Sequence, residues 1–507
     1  MTNSGESYPL TSRQRFMAGW LLALSNFMVV LDLTIANVSV PHIAGNLGIS
    51  GDQGTWIITS YAVSEAICVP LTGWLAQRFG VVRVFTFAMM GFGLFSLLCG
   101  LSMTLGMIVV CRIGQGLCGG PIMPMSQTLL MRIFPLEQRG RMMGLWAMTT
   151  LLAPAAGPIV GGYISDNWSW HWIFFINLPI AALCVTGAAL LLRPIETDRQ
   201  KLPIDFIGLG LLIFWIGCLQ IMLDIGRDHD WFGDPLIVML AVLAAIGFCV
   251  FLIWELTEEH PIVDLRVFRH VGFSSGVLTL ALCYGAYFAG IIIIPQWLQL
   301  SMGYTASLAG FVTAFTAMTA IFSANFAARL MVKTDVRIMI SGAVAWMGVA
   351  TFMRAGWTSS ADFWALSMPQ IVQGFAMPFF MIPLTTLTLG SVRPEETASA
   401  AGMQNFLRTL AVAIATSVVL TSWGDGQRAA RNDMVGALAP DAGASLAGSG
   451  LSPDQVPGMI ASLVEQQAGV LSMNNIFFVA ACILFLAAAL VWVAPRPQGK
   501  VDTSAAH

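Results

Sequence analysis

The chain has 507 residues, 57% of them hydrophobic and only 10% charged, with a mean hydropathy of +0.76. Soluble domains carry roughly 25% charged residues, so the composition excludes a water-soluble globular protein. A net charge of −3 with no dense Lys/Arg block also excludes a nucleic-acid binder.

A helix that crosses a bilayer needs about 20 mostly apolar residues. In chain order such runs fall at 16–38, 54–76, 84–102, 107–130, 141–163, 171–192, 205–224, 235–255, 272–294, 306–329, 337–354, 364–390, 400–422 and 474–494. These fourteen runs predict an all-α membrane protein. The first run does not read as a cleaved leader, because it is long, carries Asp32 and is followed by no small-residue cleavage site. The nine cysteines all fall in apolar runs without metal-type spacing and read as free core thiols.

Cationic residues concentrate in alternate loops: Arg13 and Arg15, Arg78 and Arg83, Arg132 to Arg141, Arg193 to Lys201, Arg266 and Arg269, Arg329 to Arg337, Arg393, then Arg496 and Lys500. The positive-inside rule then puts both termini in the cytoplasm, which an even helix count also requires. Most loops are short. The exception is 423–473, on the outer side, rich in Gly, Ala, Ser and Pro with an amphipathic stretch near 456–471. It reads either as a linker or as a docking surface for a partner outside the membrane.

The fourth and twelfth runs repeat. Gln115-Gly116 matches Gln373-Gly374, Pro124 matches Pro383 with one extra residue, and Gly144 and Gly402 lie equally far beyond the matched glycines. Both helices run inward, as expected of two parallel six-helix halves. The expected organisation is an N-terminal segment 1–15, a six-helix bundle 16–192, two inserted helices with linkers 193–271, a second six-helix bundle 272–494 containing the outer loop 423–473, and a tail 495–507.

Ionisable residues inside spanning helices are costly and mark function. At about 1.5 Å rise per residue, Asp32 lies roughly 9 Å and Arg112 roughly 8 Å below the outer surface, so they share a level. Glu65 falls near the midplane, at about 16 Å, and Arg408 about 12 Å from the inner surface. Asp32, Glu65 and Arg112 are the candidates for proton coupling. The repeat puts Gln370 opposite Arg112 and Thr150 opposite Arg408, so neither charge is demanded by the architecture. Candidate lining of a substrate cavity is Tyr61, Tyr284, Tyr287, Trp297, Gln373, Phe379 and Arg408. Asp224, Glu255 and Arg354 read as helix-end residues.

Three motifs carry a family resemblance. They are Leu31-Asp32-Leu33-Thr34-Ile35-Ala36-Asn37-Val38 with Pro41, then Gly73-Trp74-Leu75-Ala76-Gln77-Arg78-Phe79-Gly80 with Arg83, then Gly157-Pro158-Ile159-Val160-Gly161-Gly162. Together with Gly54-Thr55-Trp56, Trp172 to Asn177 and Pro261 to Leu265, they resemble the major facilitator superfamily, in particular its fourteen-helix drug:proton antiporters of the EmrB type. The resemblance runs along nearly the whole chain. It implies a major facilitator fold in a bacterial inner membrane and proton-coupled export of hydrophobic drugs or weak acids. It also implies a periplasmic adaptor (EmrA-like) and an outer-membrane channel (TolC-like) as partners. No cofactor or metal is implied. Gly73, Arg78 and Gly80, with Gly157, Pro158, Gly161 and Gly162, become the conformational motifs. Gln77 replaces the usual Asp of the loop motif, which weakens any charge relay there, and Ala153 stands where a glycine is usual.

In helix five, Ala153, Gly157 and Gly161 form a ridge with almost no side chains, which permits close helix contact. Pro154 and Pro158 should bend it, and the bent smooth helix should lie at the seam between the halves. An importer or sensor of the same fold remains an alternative. A membrane-embedded enzyme has no HExxH, DxxD or paired-His motif to support it, and a built-in ATPase has no phosphate loop.

Overall fold

A computed structural model describes residues 10–200, 203–226, 229–331, 334–437 and 455–494. The helices, in order, are α1 Ser12–Leu47, α2 Gly51–Cys68, α3 Thr72–Phe79, α4 Val81–Gly100, α5 Leu105–Gly119, α6 Ile122–Ile133, α7 Leu136–Asn167, α8 Trp172–Phe175, α9 Asn177–Gly187, α10 Phe206–Ile225, α11 Pro235–Thr257, α12 Val271–Leu300, α13 Ala306–Met331, α14 Val336–Arg354, α15 Phe363–Gly390, α16 Thr397–Ala437 and α17 Val456–Leu490. Helix starts are written locally. Thr11 with Gln14 and Ser50 with Gln53 form capping boxes, and Thr104, Asp205, Asp234, Asp335 and Asp362 each accept a backbone N–H in the first turn.

Among the described residues eleven helices are long and apolar enough to cross a membrane, or twelve if the bent pair 138–154 and 159–165 is one span. The two remaining expected runs appear as shorter apolar helices, 56–68 and 308–324. Their serines and threonines, and Glu65, dilute the hydropathy. Large apolar side chains such as Phe87, Leu190 and Phe322 face outward. That surface needs lipid to cover it, and the protein is a multi-pass membrane protein.

The two halves pack alike. In the first, α1 packs on α7, α2 on α5, and α4 on α5 and α9; in the second, α12 packs on α16, α13 on α15, and α14 on α15 and α17. Helices α10 and α11 pack on each other, with α10 against α2 and α16. The halves meet through α7 on α13 and α15, and through α16 on α3 and α6.

Three expectations change. The 423–473 segment is not one long loop, because α16 continues to Ala437 and α17 begins at Val456. At about 1.5 Å per residue α16 is roughly 60 Å long, twice a bilayer's hydrocarbon core. Trp423 Nε1 donates to Gly469 O (3.3 Å) and Ser472 Oγ to Trp423 O (2.9 Å), tying the two extensions together. The tip, 438–454, lies outside the described residues, as do 1–9 and 495–507. The cysteines are all free, but Cys249 and Cys482 are on the outer face rather than in the core. Finally, α7 bends by 43° across 155–158 and packs on α13 and α15 at the seam, as expected, but its small-residue ridge faces α1 of its own half.

Candidate functional site

The first half encloses a polar cluster. Asp32 is 2% exposed and Arg112 is fully buried. Arg112 Nη1 donates to Asp32 Oδ2 at 2.6 Å and to Gln115 Oε1 at 2.9 Å, while its Nε donates to Ile57 O at 3.0 Å. Gln115 Nε2 and Asn177 Nδ2 both donate to Asp32 Oδ1, at 3.0 and 2.7 Å. Asn177 also reaches Ser96 Oγ (3.1 Å), which donates to Phe174 O (2.8 Å). Tyr61 lies under the guanidinium, 4.3 Å from ring centroid to Cζ. Thus α1, α2, α4, α5 and α9 each contribute one part of a shell around a single ion pair. Such a pair is tolerated in low dielectric only when its remaining polar groups are bonded. Among the described residues three are not: Arg112 Nη2, Asn177 Oδ1 and the Tyr61 hydroxyl have no partner.

Local sequence explains the approach of the helices. A Cβ at Gly116 would sit 2.5 Å from Tyr61 O, and one at Gly120 3.0 Å from Glu65 O, so the glycines of α5 and the turn after it let α2 lie against them. On the other side of α1, a Cβ at Gly157 would lie 2.6 Å from Thr34 Cβ, and one at Gly161 3.1 Å from Ile35 O. The ridge of the antiporter-like motif therefore presses on the turn of α1 next to Asp32. Gly162 meets nothing within 4 Å. Pro158 lies in the bent stretch of α7.

Glu65 is buried one turn beyond Tyr61. Among the described residues its carboxyl has no hydrogen bond or ion pair, and the charges acting on it are those of Arg408, Arg112 and Asp32. Arg408 crosses between the halves, with Nη2 2.9 Å from Met123 Sδ and Cζ 5.5 Å from the Tyr284 ring centroid. The neighbouring Asn405 Nδ2 donates to Gln127 Oε1 at 2.6 Å.

The loop motif lies at the end of the bundle that carries the termini. A Cβ at Gly73 would lie 2.7 Å from Ser399 Cα, and one at Gly402 3.0 Å from Val69 O, so these glycines join the halves backbone to backbone. Gly80 has φ +91, open to glycine at little cost. Immediately after it, Glu196 accepts the N–H groups of Val82 (3.0 Å) and Arg83 (3.1 Å) at the start of α4. A carboxylate thus caps this helix despite Gln77, but it comes from beyond α9 rather than from the motif. Arg78 lies over the Trp74 and Phe79 rings, at 5.2 and 5.7 Å.

In the second half Tyr284 and Tyr287 are buried, and Tyr284 packs beside Phe380 at 6.2 Å. Phe379 does not join them; it stacks on Phe375 and meets Phe326 edge to face, both of them exposed, on the outer side of α15. One residue along a helix turns the side chain by about 100°, which is the whole error. Trp297 is fully buried and stacks on Trp357. Gln373 is bonded to Arg354, which is the last residue of α14, as the sequence predicts, yet only 2% exposed. Arg354, Gln115, Asn177 and Ser96 are the polar residues missed from sequence. For Arg354 the available signal was the repeated glutamine of α5 and α15, which has an arginine three residues before it in α5 and none in α15. Glu255 lies in the last turn of α11, as the sequence predicts, but it is buried and accepts the Val263 N–H (3.1 Å), pinning the Pro261–Leu265 turn. Among the described residues no group of His, Cys, Asp and Glu side chains could hold a metal ion.

Comparison with known proteins agrees with this architecture. Residues 22–416 match the Major Facilitator Superfamily model. The chain is 42% identical over 498 residues to the multidrug export protein EmrB of Escherichia coli strain K12, covering 97% of both chains. It is 38% identical to the EmrB of Haemophilus influenzae over 98% of this chain and 99% of that one. The fatty acid resistance protein FarB of Neisseria gonorrhoeae is 38% identical, over 94% and 95%. The solved human organic anion transporter MFSD10 shares the fold at TM-score 0.58 and 16% identity, covering 95% of this chain and all of that one. The EmrB proteins and MFSD10 are named for export and transport, and with the superfamily match they make this chain a transporter rather than an enzyme. The chain belongs to the major facilitator superfamily and, within it, to the multidrug export proteins of the EmrB type.

Proposed function

We propose that this multidrug exporter is a proton-coupled antiporter in which protonation of the Asp32 site drives alternating access. The observation that carries this reading is the buried Asp32–Arg112 pair, closed in by Gln115, Asn177 and Tyr61. A proton on Asp32 removes the charge that holds Arg112, and the guanidinium then needs another partner. Its unbonded Nη2 and the adjacent Tyr61 hydroxyl are where that rearrangement begins. Glu65, buried without a hydrogen-bond partner, is the second proton acceptor on the path toward Arg408 and the other half. The Gly157–Gly161 ridge transmits the change, because it bears on α1 one turn from Asp32. The contacts of Gly73 with α16 and of Gly80 with the post-α9 segment, with Arg78 on the helix between them, then open and close the cytoplasmic end. A proton-motive force supplies about 2.3 kcal/mol per charge per 100 mV for the cycle.

The same reading puts the termini in the cytoplasm of a bacterial inner membrane, and the cargo, a hydrophobic drug or weak acid, between the halves near Tyr284, Tyr287 and Arg408. The name of the FarB relative points to a fatty acid as one such cargo class. A periplasmic adaptor and an outer-membrane channel complete the export route. The paired extensions of α16 and α17, with Val435, Met459 and Leu463 exposed beyond the bundle, are the surface for the adaptor. Drug uptake into everted vesicles under an imposed proton gradient tests the reading. Asp32→Asn is expected to cut uptake at least about tenfold, as expected of a lost charge-assisted bond. Uptake that stays at the wild-type rate and remains protonophore-sensitive would overturn it.

A further inference from the structure

Among the described residues, the second half contains a buried cation whose charge no acidic group balances. Arg354, at the end of α14, is 2% exposed, and among the described residues no carboxylate pairs with it. Its Nη2 donates to Gln370 Oε1 (2.8 Å) and to Gln373 Oε1. Both amide oxygens are thereby used, the first also by Thr316 Oγ1 at 3.0 Å. What is left over among the described residues is a set of buried polar atoms with no partner: Arg354 Nε, the two amide nitrogens Gln370 Nε2 and Gln373 Nε2, and, one turn before Gln370 on α15, Ser367 Oγ. All four can donate, and three of them can only donate. A site made of donors around a guanidinium is chemically complementary to an anion.

The internal repeat says where the anion belongs. The residue step that carries Gln115 to Gln373, Gly116 to Gly374 and Gly144 to Gly402 also carries Asp32 to Gly290. A Cβ at Gly290 would lie 3.3 Å from Arg354 Nη1, with the tip of Ile294 and the Phe477 ring at 3.7 Å. In the first half the repeated glutamine, a guanidinium and a carboxylate from α1 form one cluster. In the second half the glutamine and the guanidinium are present, and α12 brings a glycine where α1 brings the carboxylate. Burying a charge without a counter-charge is expensive, so a ligand that provides one gains most of that cost back.

We propose that Arg354, Gln370 and Gln373 bind a small anion beside Gly290, either the carboxylate of a transported compound or an inorganic anion. The cargo assignment rests on the export reading; the binding itself does not. Purified full-length protein in detergent, in a buffer whose own anions are bulky sulfonates, is titrated with sodium benzoate and separately with sodium chloride. Tryptophan emission is the readout, because Trp297 stacks on Trp357, 5.9 Å between ring centroids, and Trp357 packs on the Phe477 ring beside Arg354. A saturable response to benzoate alone assigns the site to organic anions, and a response to both assigns it to small anions in general. Arg354→Gln should weaken binding at least about tenfold, the usual worth of a charge-assisted hydrogen bond. Gly290→Asp, which supplies the carboxylate from the chain, should abolish the response while leaving the fold at least as stable to heat. No saturable response to either salt in the wild type, or one that persists in Gly290→Asp and Arg354→Gln, overturns the proposal.

Discussion

The two halves of the bundle share a packing pattern and a glutamine, yet treat a buried guanidinium in opposite ways. In the first half Arg112 is bonded to Asp32, and Gln115, Asn177, Ser96 and Tyr61 close the shell around the pair. In the second half Arg354 faces two amides and Gly290. A compensated charge is stable in place and changes state when a proton removes the compensation. An uncompensated one draws in a counter-charge from outside. The difference teaches how one duplicated bundle supports two tasks. On the proposed function, the half with an internal acid answers protons, and on the proposed anion site the half without one receives something negative.

The comparison breaks most visibly at Asp32. Replacing it by Asn leaves Arg112 buried and unpaired, which is expected to cost about 3–5 kcal/mol. Thermal unfolding in detergent should show that loss, and Asp32→Asn/Arg112→Gln should recover much of the stability without recovering transport. A double variant as unstable as the single one would mean that the pair is not the source of the cost.

Next in size is Gly73→Leu. The side chain has no room against Ser399, and overpacking of this kind costs about 1–3 kcal/mol. The cost falls on the conformation in which the terminal end is closed. Cysteines introduced at Gln127 and Asn405, whose side chains touch at 2.6 Å, should then crosslink more slowly than in the parent. Unchanged crosslinking would remove Gly73 from the closing contact. Substituting Glu196 by Ala takes the carboxylate from the start of α4 and should cost about 1 kcal/mol, as other N-terminal caps do. Measured stability equal to wild type would show that the Gly80 turn holds without it. The smallest effect is expected at Arg431→Ala. Its 3.7 Å contact with Glu465 is exposed, and such pairs contribute about 0–1 kcal/mol. If that substitution separates the α16 and α17 extensions, Trp423 and Ser472 are not what joins them.

Much of this architecture is legible before any coordinates. Apolar runs, alternating cationic loops and the Gln115/Gln373 repeat are written in residue type and spacing, and the depth arithmetic brings Asp32 and Arg112 to one level. What is not legible depends on rotation and context. Arg354 ends its apolar run, and a terminal arginine in a membrane helix ordinarily reaches for the interface; only the neighbouring α15 shows that it is capped inside the bundle. Phe379 and Phe380 are equivalent in a hydropathy count, and the side facing Tyr284 is settled by how α15 packs. The 423–473 segment reads as a loop because Gly, Ala and Ser dominate it. The structure carries helix through 423–437 and from 456, where Gly426 fits against Ser472 and the chain is held by Trp423 and Gln466. Gln77 shows the reverse case. The motif's missing acid suggests a lost contact, but Glu196, far away in sequence, supplies a carboxylate at the same helix start.

The division of labour between the halves is tested most directly by counting protons released when cargo binds to the purified protein in weakly buffered detergent solution. Release is expected in the wild type and should be lost in Asp32→Asn at saturating cargo, with binding retained. It should persist in Arg354→Gln once cargo is raised enough to saturate the weaker site. Proton release that is unchanged in Asp32→Asn, or that disappears only in Arg354→Gln at saturation, would contradict that division of labour.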